Sequence, residues 1–273
     1  MKDLRVRVVG LVALGLVVLL GATGCSTVPV TGRKQLTLLS AGEEMQLGLT
    51  SFEQLKKETP ISKDPALNAL VQRVGKRIAQ VAGPDMPNAQ WEFVVFDSKE
   101  ANAFCLPGGK VGVYTGILPI TKDEAGLATV IGHEVAHAVA RHGGERISEA
   151  MLIQTGGQLL SSSLSKSDPA WQSVAQLAYG AGTKLGRELP HSRSQESEAD
   201  HIGLIYMARA GYDPQQAVAF WQRFMAYNKA QGGDQSSFFA SFLRTHPLDE
   251  VRIRQLQQWM PEAQAAFVPY QGQ

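Results

Sequence analysis

The chain has 273 residues, 44% of them apolar and 19% charged, which fits one or at most two folded domains with a proper core and excludes a low-complexity or disordered polymer. A formal net charge of +1 supplies no basic surface of the kind nucleic-acid binding needs, so no nucleic-acid partner is expected.

Taken in chain order, Lys2, Arg5 and Arg7 precede the apolar run Val8–Leu20, and small residues lead up to Cys25. A charged start, an apolar middle and a small-residue cleavage site make residues 1–24 an export signal. The apolar run of 13 residues is short of the roughly 20 that span a bilayer as a helix. GATGC (21–25) resembles a bacterial lipobox, with Ala22 where leucine is usual. The resemblance implies lipidation of Cys25 as the first residue of the mature chain. Ser26 after it implies, by resemblance to sorted lipoproteins, an outer-membrane anchor facing the periplasm in the cell envelope of a Gram-negative-type bacterium. Loss of residues 1–24 removes Lys2, Arg5, Arg7 and Asp3, which takes the mature chain to about −1. With Cys105 the remaining cysteine, no intramolecular disulfide forms, and Cys105 reads as a small buried apolar residue.

Residues 25–40 read as a tether, and the fold proper as 41–273. A helix is expected from about Ala41 to Lys57 and a second over Pro65–Val81, where Leu67, Leu70, Val71, Val74 and Ile78 recur at helical spacing. WEFVVFD (91–97) is a strand pattern, and AFCLPGGKVGVYTGIL (103–118) reads as a hairpin turning at Pro107-Gly108-Gly109. Thr121-Lys122-Asp123-Glu124 is a capping-box pattern and Gly143-Gly144 a stop, so a helix of about 20 residues is expected between them. Residues 155–190, rich in Gly, Ser and Ala, read as a mobile or covering segment. Further helices are expected over Ser192–Arg209, from Asp213-Pro214 to about Asn228, and from about Leu248 onward. A small β-sheet among many helices makes the fold class α+β.

Three of the six histidines lie in GHEVAHAVARH, residues 132–142. A helical residue turns about 100°, so His133 and His137, four apart, share a face with Glu134 beside them. His142, nine from His133, falls about half a turn away and cannot join them unless the helix breaks first. The extended motif with a third histidine requires Gly and His where this chain has Val139 and Gly143. His142 is therefore expected to be a surface or packing histidine. Two histidines do not complete a catalytic zinc site, which uses three protein ligands and an open position. The missing carboxylate is expected in SRSQESEADHIG (192–203), where Glu196 and Asp200 share a helical face and Glu198 lies about 200° from Glu196. One of the pair can bind metal while the other accepts the free ring N–H of a bound histidine. Geometry leaves their order open.

HEVAH followed by SRSQESEADHIG, with NAFCLPGGKVGVYTG before and THPLDEVRIR after, closely resembles the M48 family of zinc metallopeptidases, in particular its bacterial lipoprotein and periplasmic members with a Ste24-like catalytic domain. The likeness runs from about Leu39 to Gln258. It implies a mostly helical, zincin-like domain built around the HExxH helix, one Zn2+ per chain held by His133, His137 and Glu196, and Asp200 as the carboxylate behind a ligand. It implies Glu134 as general base and places His246 near the site, as donor to the tetrahedral oxyanion, as a fourth ligand that closes the site at rest, or as a helix-entry histidine with no chemical role. Arg193 is a further residue that could face the site. The return strand of the hairpin, with Val111, Gly112, Val113 and Tyr114, is expected to be an exposed edge on which an extended substrate aligns. The expected activity is endoproteolysis of unfolded or misfolded envelope polypeptides. The alternative is a chaperone-like lipoprotein that holds such clients without cutting them.

Overall fold

Caps and apolar spacing place most of the helices, and long-range packing decides the rest. The computed structural model describes residues 25–164, 192–230, 242, 246 and 250–269. The expected export signal, and residues 165–190 of the expected covering segment, lie outside the described residues. Of those described, 25–40 and 143–164 fall in one compact unit and the others in a second.

In the smaller unit the expected tether is instead a hairpin. Strand β1 (Cys25–Thr27) pairs antiparallel with β2 (Lys34–Leu36), Cys25 opposite Leu36 and Thr27 opposite Lys34. The turn between them closes through Val28 N–H to Arg33 O at 2.8 Å. Arg33 makes two bonds to Glu145, at 2.7 and 3.0 Å, and Ser148 Oγ accepts from Leu38 N at 2.7 Å. Such long-range anchors are not visible in the local composition of residues 26–40.

In the larger unit, α1 (Ala41–Glu58) and α2 (Pro65–Ala82) lie where the periodicity puts them. Asp64 caps α2 by accepting from Ala66 N and Leu67 N, and Pro65 opens it. Val71, Val74 and Ile78 are its fully buried stripe. Strands β3 (Glu92–Phe96), β4 (Ala103–Leu106) and β5 (Lys110–Tyr114) form a sheet in the order β3-β5-β4. The hairpin β4–β5 turns on Gly108 and Gly109, whose φ values of +88° and +81° suit glycine. Phe52 of α1, Phe96, Phe104 and Tyr114 pack edge to face and stacked over one end of the sheet.

The sheet order corrects one expectation. β5, with Val111, Gly112, Val113 and Tyr114, is the central strand, parallel to β3 and antiparallel to β4, and all five of its residues are buried. A strand paired on both sides offers no backbone groups to a substrate. The edge strand packed against the motif helix is β4.

After a 3-10 turn, a short helix α3 (Leu118–Thr121) leads to α4 (Glu124–Val139). Asp123, not Thr121, caps α4, accepting from Gly126 N at 2.8 Å. Every residue from Gly126 to Val139 is buried, as fits a helix enclosed by α2, β4, α6 (Arg193–Arg209) and α7 (Gln215–Ala230). α8 (Glu250–Ala266) packs on α6 and α7. The expected single helix to Gly143 stops earlier. Ala140 caps α4, Arg141 turns left-handed at φ +55°, and α5 (His142–Leu164) begins at once, running through Gly143-Gly144. No described helix is long and apolar enough to cross a membrane. The α+β class, helix-rich with small sheets, is the one expected.

Candidate metal centre

The backbones of α4 and α6 approach closely at Gly132 and Gly203. A Cβ on Gly203 would lie 2.9 Å from Gly132 C and 2.9 Å from His133 N. With no side chains between them at this crossing, α4 presents His133, Glu134 and His137 directly to Glu196 and Asp200 of α6.

The donor atoms converge. His133 Nε2 is 3.1 Å from His137 Nε2, 3.2 Å from His246 Nδ1 and 3.3 Å from Glu196 Oε2. Glu196 Oε1 is 3.2 Å from His137 Nε2 and 3.0 Å from His246 Nδ1. All four residues are buried, and one ligand atom from each lies within 4.8 Å of all the others. A tetrahedral metal with bonds of roughly 2.1 Å separates its ligands by roughly 3.4 Å, so these spacings fit a single ion. Three imidazole nitrogens and a carboxylate oxygen suit zinc among the common divalent metals. Glu134 stands beside the cluster, with Oε1 3.4 Å from His246 Nε2. That oxygen is buried and makes no hydrogen bond among the described residues, an acceptor left facing the site.

Asp200 sits behind His133, Oδ1 3.0 Å from its Nδ1. Its two oxygens accept from Arg252 of α8 at 2.7 Å each, and Arg252 also reaches Glu196 Oε2 at 3.0 Å. The guanidinium lies over the Trp221 ring, 4.0 Å from its centroid, which holds its plane and adds a cation–π attraction. Burial works against charge on Glu196 and Asp200, yet the histidines around Glu196 and Arg252 beside Asp200 hold both carboxyls below their ordinary values. Burial raises Glu134, and the neighbouring His246 and His133 only partly oppose it. For His133, burial is outweighed by Glu196 and Asp200, which push it up to about 9, whereas burial keeps His137 well below its usual value.

The structure thus brings together His133, Glu134, His137, Glu196, Asp200 and His246, as expected from the motifs. It places Arg193 exposed in the first turn of α6. His142 is a packing histidine outside the donor cluster, as expected, but it lies on the side of α4 that helical projection excluded. It is fully buried, with Nδ1 2.8 Å from His137 Nδ1 and Nε2 3.0 Å from Glu198 Oε2. The physical reason is the left-handed turn at Arg141, which returns the chain to the side of α4 that a continuous helix would have carried it away from. Arg252, which contacts both Asp200 and Glu196, stands in the THPLDEVRIR stretch but is not among the residues the motifs single out. Its partners lie some 50 residues away in sequence, and no local pattern pairs them.

The sequence profile of peptidase family M48 matches residues 65–260, a span that includes every residue of this centre. The mitochondrial metalloendopeptidase OMA1 of Schizosaccharomyces pombe is 38% identical over 240 residues, 87% of this chain and 67% of the relative. OMA1 of Saccharomyces cerevisiae is 30% identical over 253 residues, 88% of this chain and 70% of the relative. The β-barrel assembly-enhancing protease of Escherichia coli K12 is 29% identical over 262 residues, 92% of this chain and 51% of the relative.

Proposed function

The chain belongs to peptidase family M48 and is a metallopeptidase, and from that premise we propose that it is a zinc-dependent endopeptidase of the bacterial envelope acting on unfolded or misfolded proteins. The observation that carries the reading is the convergence of His133, His137, Glu196 and His246 beside the orphaned Glu134 oxygen.

His133, His137 and Glu196 would hold the ion, with Asp200 orienting His133 and Arg252 orienting Asp200. Bound zinc supplies a Lewis acid that acidifies water and polarises a peptide carbonyl. Glu134 takes the proton of the attacking water and delivers it to the leaving amine; its raised pKa brings it nearer to that task at neutral pH. His246 directs Nδ1 into the donor cluster and Nε2 towards Glu134, which supports its role as the fourth ligand at rest. With zinc bound, His246 would have to give way to a substrate carbonyl, and its ring could then donate to the oxyanion.

The substrate strand is assigned to β4, the sheet edge packed against α4, in place of β5. Extended chain adds to such an edge through backbone bonds, so unfolded polypeptide suits it better than folded protein. Cys105 on β4 is close enough to Glu134 that burial first, and that carboxylate second, push its thiol up, which keeps the cysteine neutral and unreactive. The envelope location rests on the export signal and Cys25, the lipid anchor joining the mature chain at the start of β1. It accords with the name of the E. coli relative, a protease that enhances β-barrel assembly.

Purified mature protein should cleave casein, lose the activity to a chelator and regain it with zinc. Glu134→Gln should bind zinc and not cleave. Equal cleavage by that variant would refute the assignment of the base.

A further inference from the structure

We propose that His142 is a positioning residue for His137, coupling that metal-binding imidazole to the carboxylate of Glu198. The inference rests on the zinc reading above and extends it to two residues outside the donor cluster.

His137 Nε2 points into the cluster, 3.1 Å from His133 Nε2 and 3.2 Å from Glu196 Oε1. Committed to a cation, that nitrogen carries no proton, so the proton of the neutral ring is on Nδ1. Nδ1 lies 2.8 Å from His142 Nδ1, so His137 donates and His142 accepts. The proton of neutral His142 is then on Nε2, which donates to Glu198 Oε2 at 3.0 Å. Each step fixes the tautomer of the next. Both His142 and Glu198 are buried, so water does not compete for these bonds.

His133 is held differently, its Nδ1 facing Asp200 directly. The two histidines of the motif thus reach carboxylates two residues apart on α6, Asp200 directly and Glu198 through an interposed ring. Partners of this kind set ligand orientation and basicity.

The break that delivers His142 is itself secured. A left-handed φ of +55° at Arg141 is a strained conformation for a non-glycine residue. Arg141 is held there by two bonds to Glu44 of α1, at 3.1 and 2.9 Å, and Glu44 is buried. A straight continuation of α4 would avoid the strain but carry His142 away from His137.

The test is equilibrium zinc affinity of the full mature chain by chelator competition, together with the visible spectrum of the cobalt-substituted protein, both normalised to the folded fraction of the apo protein. His142→Leu should bind zinc about 10- to 100-fold more weakly and shift the cobalt bands. His142→Asn places an acceptor oxygen near the lost Nδ1 and should recover about tenfold of that loss, with bands returning towards those of the parent. Glu198→Gln keeps shape and removes charge, and should weaken zinc about threefold. Parental affinity and spectrum in folded His142→Leu, or His142→Asn as weak as His142→Leu, overturns the proposal. If His142→Leu does not fold, Glu198→Gln decides, and parental affinity there overturns it. Failure of the underlying zinc reading is distinct, because it shows as no zinc binding by the parent chain.

Discussion

Replacing Gly203 with alanine probes the helix crossing on which the metal centre depends. The added Cβ would sit 2.9 Å from Gly132 C, 2.9 Å from His133 N and 3.0 Å from His133 Cα. All three are backbone atoms of α4, so no rotamer change relieves the clash. Restoring contacts of about 3.5 Å requires α4 and α6 to separate by roughly 0.6 Å, beyond the roughly 0.2 Å tolerance of metal–ligand distances. Overpacking of this kind costs about 1–3 kcal/mol, and the better helix propensity of alanine returns about 1 kcal/mol. The apo protein should therefore lose at most about 2 kcal/mol in denaturant unfolding. The larger effect falls on the site, because Glu196 moves relative to His133 and His137, and zinc affinity should drop at least tenfold. Gly143→Ala is the control, since a Cβ there meets nothing within 4 Å, and it should leave both quantities unchanged or raise stability slightly. Parental zinc affinity in Gly203→Ala would show that the crossing does not set the ligand geometry.

Other outcomes follow from the same centre. Arg252→Met should cost about 3–5 kcal/mol in apo-protein stability, because it leaves Asp200 and Glu196 buried without their cation. Arg252 depresses the folded pKa of Asp200, so its stabilisation is present above the ordinary aspartate range near 3.8 and lost as pH falls through the folded value. The gap between parent and variant, followed by chemical denaturation across pH, should narrow in acid. Glu196→Ala should lose zinc in metal analysis, while Glu198→Ala should retain it with weaker affinity; the reverse order would mean that the wrong carboxylate has been assigned. Glu134 acts only when deprotonated and burial raises its pKa, so kcat/KM for a peptide substrate should fall on acidification through a pKa higher than that of an ordinary glutamate.

Several elements were legible from sequence because their determinants are local. Asp64-Pro65 starts α2, Ser192 caps α6, and the spacing of Val71, Val74 and Ile78 gives the buried face of α2. His133, Glu134 and His137 were legible from one turn of helix, and Glu196 with Asp200 from the next acidic pair of matching spacing. What was missed depends on distant partners. A hairpin motif specifies that β4 pairs with β5, but the pairing of β5 with β3 is settled across the sheet, and it turned the expected edge into the centre. The end of α4 carries no glycine; Arg141 adopts the left-handed turn where it bonds Glu44, 97 residues away, so helical projection sent His142 to the wrong side. The hairpin at Cys25–Leu36 likewise depends on Glu145 and Ser148, more than 100 residues on.

Whether His133, His137, Glu196 and His246 together hold one zinc ion at rest can be read from zinc K-edge X-ray absorption of the purified, zinc-loaded mature chain. One zinc per chain is expected, with three imidazole nitrogens and a carboxylate oxygen in its nearest shell, falling to two imidazoles in His246→Ala. A sulfur neighbour, or two imidazoles already in the parent, would contradict it.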